Sequence, residues 1–202
     1  IPYQDIDNHI ISLHNHLFFK NSKLDLDLGY TINNRKEFEE HEDHEEGEAE
    51  EEHEEHAEGE AALSMKLKTF SYNAKYHLPK MGKFELLVGT QGLNQTNTNF
   101  GEELLIPNAR VNDFGVFTTG NLELNDNTHL QGGIRYDNRS IKTERHEIQH
   151  ENEVHVFNAI DKSFNSFTAS LGLKTKLFKT LNTRINIANG FRAPNLAELT
   201  SN

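Results

Sequence analysis

Four histidines, His41, His44, His53 and His56, stand in two H-x-x-H pairs inside the run EFEEHEDHEEGEAEEEHEEHAEGEAA, residues 37–62. Imidazole with carboxylate is a ligand set for zinc, and also for nickel, cobalt or Cu(II). If the tract is helical, each pair falls on one face. If it is disordered, the short spacing still lets both rings reach one ion. Residues 36–60 carry 15 Asp and Glu against one Lys, a local net charge of −14, so the rest of the chain sums to +2 against −12 overall. Such a field concentrates divalent cations. The same composition also suits a solvated acidic loop with no site. The paired histidines tip the reading toward metal capture at several sites of modest affinity. The chain has no Cys and two Met, which excludes thiolate sites and disulfides and makes Cu(I) a poor fit.

A second stretch, IKTERHEIQHENEVHVF, adds His146, His150 and His155 among Glu144, Glu147, Glu151 and Glu153. Read as a strand, residues 9–19 put His14 and His16 on one face with Ser12, a candidate third site on a polar wall. Arg135 and Arg139 could meet an anionic ligand or pair with carboxylates such as Asp137. No Gly-rich phosphate loop and no H-E-x-x-H motif is present, and the carboxylates sit in a flexible tract with no pocket to tune them, so no enzyme is expected. No cofactor is expected to be tightly bound. There is no basic footprint for nucleic acid.

The elements that must position these groups follow a period of two. KLDLDLGYTI sets Leu24, Leu26, Leu28, Tyr30 and Ile32 against Asp25, Asp27, Gly29 and Thr31. THLQGGIRYDNR and SFTASLGLKTKL alternate in the same way. Eight strands are expected, near 9–19, 23–34, 63–78, 83–96, 113–124, 128–140, 165–176 and 181–191. Most are longer than the ~5–6 residues usual in soluble sheets. Short connections (21–22, 79–82, 125–127, 179–180) alternate with long ones (35–62, 97–112, 141–164). Transmembrane barrels connect their strands in this way, with short periplasmic turns and long extracellular loops. One face can meet lipid and the other can line a wet lumen, with aromatic girdles at Phe18, Phe19, Phe84 and Phe178 near the turns and at Tyr30, Phe70, Phe114, Tyr136 and Phe191 toward the other rim. A soluble antiparallel sheet with one solvated face is the alternative. No run is apolar enough for a membrane-crossing helix.

The C-terminal stretch NIANGFRAPNLAEL, residues 186–199, resembles the barrel segment of TonB-dependent outer-membrane receptors in which a strand ends in a GFRAP.L.EL run. The matching residues are Gly190, Phe191, Arg192, Ala193, Pro194, Leu196, Glu198 and Leu199. NDFGVFTTGNLEL followed by LQGGIRYDNR is similar to a strand pair of the same family. The resemblance implies an all-β, antiparallel transmembrane barrel of 22 strands in the outer membrane, with a plug inside and energy supplied through TonB. Residues 1–202 are then an internal piece of that wall, about eight strands long, and 36–62 an acidic extracellular insert. The plug and TonB-contacting segment would lie outside it.

With the histidine loops, the expectation is a receptor importing a metal ion, zinc foremost, as transported ligand. A ferric-siderophore or haem receptor is the alternative cargo reading. A non-transporting surface barrel or a metal-buffering β protein is the alternative of another class.

Overall fold

The computed structural model describes residues 2–38, 61–100, 104, 106–150, 153–178 and 180–200. Within them the chain is one antiparallel eight-stranded sheet and a small hairpin. The sheet strands are β1 (Tyr3–Phe18), β2 (Lys23–Phe38), β3 (Leu63–His77), β4 (Phe84–Asn99), β5 (Ala109–Asn125) and β6 (Thr128–Thr143). The hairpin β7 (His146–His150) and β8 (Glu153–Phe157) interrupts it before β9 (Asp161–Phe178), β10 (Leu181–Ala188) and a short helix α1 (Leu196–Thr200). Spatial order is β1-β2-β3-β4-β5-β6-β9-β10, each strand beside its chain neighbour apart from the hairpin excursion. Such a meander sets the four short turns on one edge and the long connections on the other.

The two faces are those of a membrane wall. The outer face exposes Ile11, Leu13, Tyr30, Phe70, Val116, Ile134, Phe167, Leu171 and Ile185. On β5 the apolar outer positions run from Phe114 to Leu124, which fits the ~9–11 residues a tilted strand needs to cross a bilayer. Among the described residues no helix is long and apolar enough to cross. The inner face is polar, and its few buried apolar side chains, Leu63, Ala109, Val111 and Ile141, gather at the outer end of the sheet.

Several strands run further outward than the apolar alternation indicates. β1 starts at Tyr3 and not near 9, β2 continues to Phe38, β5 starts at Ala109 and β9 at Asp161. Beyond the aromatic row the outer positions become polar, as at Asn34, Thr96 and Ser140, so hydrophobic periodicity fades while the backbone ladder continues. The insert expected at 36–62 therefore loses its first three residues to β2.

The connection expected at 97–112 shrinks to 100–108 and folds back. Asn99 donates from Nδ2 to the Ile106 carbonyl (2.7 Å) and from its backbone N–H to Asn108 Oδ1 (2.8 Å). Pro107 is fully buried beneath it. The connection at 141–164 holds the β7–β8 hairpin, which short apolar spacing did not announce. Three aromatics leave the expected girdle, and one of them, Phe178, shares the inner-face parity of Lys174 on β9. Phe18 lies beside His16 on the inner face (ring centroids 6.5 Å apart), and Phe191 lines an inner cavity, because β10 ends at Ala188 and the chain turns inward.

Candidate functional site

The inner wall carries a ladder of paired charges. β1 and β2 are in register with His14 opposite Asp27 and His16 opposite Asp25. The His14 Nδ1–H donates to Asp27 Oδ1 (2.9 Å), and Asn73 Nδ2 donates to Asp27 Oδ2 (3.1 Å). One rung lower, Asp25 accepts from His16 Nδ1 (2.6 Å), from His77 Nε2 (2.8 Å) and from the Lys23 ammonium (2.9 Å). The structure thus brings each strand-1 histidine to its own carboxylate and not to a shared centre. An ammonium on Asp25 opposes a cation there. Among the described residues no group of three or more His, Asp or Glu is arranged to hold a metal.

Further round the wall, Arg139 makes a two-pronged pair with Asp113, its Nε–H to Oδ1 at 2.7 Å. Arg135 binds Asp137 through Nε (2.8 and 2.7 Å), reaches Gln91 (3.2 Å) and lies over the Phe117 ring at 5.4 Å. Each guanidinium is paired with a carboxylate, the alternative raised above. Gly115 makes the second pair fit: a Cβ there would stand 2.5 Å from Asp137 Oδ1 and 2.6 Å from Arg135 Nη2.

His14, Asp27, Asp113, Arg135, Asp137 and Arg139 line a cavity of about 760 Å³ that also touches Phe164, Phe191, Arg192 and Ala193. The segment after β10 supplies the last three. A capping box holds it: Asn195 Oδ1 accepts from the Glu198 N–H (2.8 Å), and Glu198 Oε2 accepts from the Asn195 N–H (2.9 Å). The other Glu198 oxygen pairs with Arg192. The backbone N–H of Asn195, then Arg192, hold the Glu198 carboxyl below its usual range.

The histidines of the long connections lie differently. His41, His44, His53 and His56 are outside the described residues. His146 is exposed on β7. The hairpin register pairs position 146 with 157, 148 with 155 and 150 with 153. His146, His150 and His155 therefore belong to one face of the ribbon. On a strand, four residues separate His146 from His150 by about 13 Å, too far for one ion, whereas position 155 is a diagonal neighbour of both at about 7–8 Å.

Sequence reading did not single out His77, Asp25, Asp27 or Asp113. Their parity was legible, but the rung that joins His77 to Asp25 needs the β2–β3 register across the acidic tract.

The β-barrel model of the TonB-dependent receptor-like proteins matches residues 3–202. The chain belongs to the TonB-dependent receptor family. It is part of an outer-membrane barrel wall, in a family of transport receptors. Solved receptors share the fold at low identity. The copper transporter OprC superposes with TM-score 0.68 at 11% identity over 97% of this chain and 33% of its own. The ferric yersiniabactin uptake receptor FyuA from Yersinia pestis gives 0.61 at 8% over 92% and 28%. The ferric-catecholate import receptor Fiu from E. coli K12 gives 0.61 at 12% over 93% and 35%. The chain thus spans about a third of the length of these receptors. No curated protein sequence matches it.

Proposed function

We propose that this wall belongs to a receptor that imports a divalent metal ion, zinc foremost, drawing energy from TonB. The observation that carries the reading is the pair of H-x-x-H motifs within 14 carboxylates on the connection between β2 and β3. The hairpin between β6 and β9 supports it, since its three histidines share one ribbon face on the same rim. Ions gathered by the carboxylates outside are handed to neutral imidazoles and then enter the lumen. On the inner wall Lys23, Arg135 and Arg139 are each paired with a carboxylate, which lowers the positive barrier an entering cation meets there.

The test is uptake of radioactive zinc by cells carrying the full receptor under zinc limitation. Deleting residues 39–62 should lower the initial rate several-fold. Unchanged uptake rejects the zinc reading.

A ferric chelate is the second reading. It is favoured by the ferric-chelate receptors among the similar folds and by Arg135, Arg139 and Arg192 around one cavity. Growth on a ferric chelate as sole iron source, unaffected by the deletion, would favour it. A Soret band on titration would point to haem.

A further inference from the structure

Lys23, Arg135 and Arg139 on the inner wall each hold a carboxylate, and Lys80 at the turn edge holds both Glu85 and Glu123 at 3.0 Å. Lys174 and Arg184 depart from that pattern. Register sets them directly opposite one another on β9 and β10, and sets His129 opposite Lys174 on its other side, on β6. Both cations are exposed, and among the described residues neither makes an ion pair. Lys174 stands four residues before the end of β9, so the row crosses the wall roughly 13 Å along the strand from the short-turn edge.

Like charges directly opposed across a strand pair destabilise a sheet. The surroundings supply nothing to offset this pair. Around Lys174 the inner face offers His129 and Gln131 on β6, Gly172 and Lys176 on β9, and Arg184 flanked by Asn182 and Asn186 on β10, none of them acidic. Described strands flank Lys174 on both sides, so its want of a carboxylate belongs to the wall itself. The acid in the same row, Glu123, lies on the far side of His129 and is the one Lys80 holds. There is also room. Lys174, Arg184, His129, Gln131 and Asn186 line a cavity of about 310 Å³. Gly172 adds no side chain to it, and a Cβ there would collide with Asn186 Oδ1.

We propose that Lys174, Arg184 and His129 form a binding site on the inner wall for a compact oxyanion of the phosphate class. Opposed residues on adjacent strands have Cβ atoms ~4.5–5.5 Å apart, so the long Lys and Arg side chains can close on one ion from two strands. The guanidinium gives parallel N–H donors to two oxygens, and the ammonium brings a point charge to a third. His129 adds a ring N–H from β6, and the Gln131 and Asn186 carboxamides add neutral donors. A bound dianion offsets the repulsion between the two cations. The site stands apart from the cargo reading, since it neither needs nor excludes the histidine-rich connection.

The test is calorimetric titration of the full receptor, in nonionic detergent at fixed ionic strength, with inorganic phosphate. K174Q/R184Q should bind phosphate at least about tenfold more weakly than the parent. K174R/R184K keeps both charges and should bind as the parent does. K66Q/K68Q removes the same charge from the outer face and should leave binding unchanged, which separates the site from net charge. Thermal unfolding gives a second readout that a purely structural role would not produce. In phosphate-free buffer K174Q/R184Q should melt higher than the parent, because the like-charge pair is gone, and added phosphate should raise the melting temperature of the parent alone. Glycerol 3-phosphate, titrated in parallel, distinguishes the sources of the ligand: a monoester lost with the same two residues marks a site that also takes esterified phosphate, and a monoester that does not bind marks a site for the free ion. Equal phosphate binding by parent and K174Q/R184Q overturns the proposal. So does a parent that binds no phosphate, because carboxylates of the receptor itself then meet these charges.

Discussion

Single residues decide where charge is held and where it is available. Glu198 illustrates the first. Its carboxylate accepts the Asn195 N–H and pairs with Arg192, and both partners hold its pKa below the ordinary value. A lowered folded-state value means that the contribution is present above the unfolded pKa of about 4.3 and is lost as pH falls through the folded one. The protection of the Asn195 amide against hydrogen exchange should therefore collapse only in that acid window, with the Arg192 turn loosening alongside. In E198Q, protection should no longer follow pH there. Pair charges were partly legible beforehand: Arg135 with Asp137 lies two residues apart in one strand, whereas Arg139 with Asp113 and His77 with Asp25 cross strands whose register no local pattern states.

At the scale of elements, alternation located all eight sheet strands and failed where lipid stops sorting the residues. Strand ends above the aromatic row look like loop in composition, yet their backbones stay paired, as at β2 from Asn33 to Glu37. The β7–β8 hairpin was hidden for the same reason, being short and charged. The faces themselves give a sharp test. Ile134 is 62% exposed in the isolated sheet, on the face assigned to lipid, while Gln131 faces inward beside Lys174 and Arg184. Ile134→Arg should destabilise the folded receptor by about 2–4 kcal/mol if the site is near the midplane, and Gln131→Arg far less. Urea unfolding in lipid vesicles reads the difference. Equal penalties would contradict the assignment of faces.

For the whole molecule, the architecture divides the work between a neutral wall and an intensely acidic rim. The wall carries family, fold and membrane placement, and the GFRAPNLAEL run together with the alternation was enough to read them. Cargo was not legible in the same way, because the proposed capture rests on a tract whose chemistry is compositional, with no geometry to match. The central claim is that histidines, and not carboxylates alone, do the capturing. Imidazole must be neutral to donate its lone pair, so zinc affinity should fall as pH drops through about 6.5, whereas carboxylates alone would keep most of theirs to about pH 5. Calorimetric zinc titration of the full receptor, compared with the variant carrying His41→Gln, His44→Gln, His53→Gln and His56→Gln, addresses this most directly. The account predicts at least a tenfold loss of affinity near neutral pH, about 1.4 kcal/mol, and loss of the pH dependence. A variant that binds zinc as tightly as the parent, with the same pH profile, would contradict it.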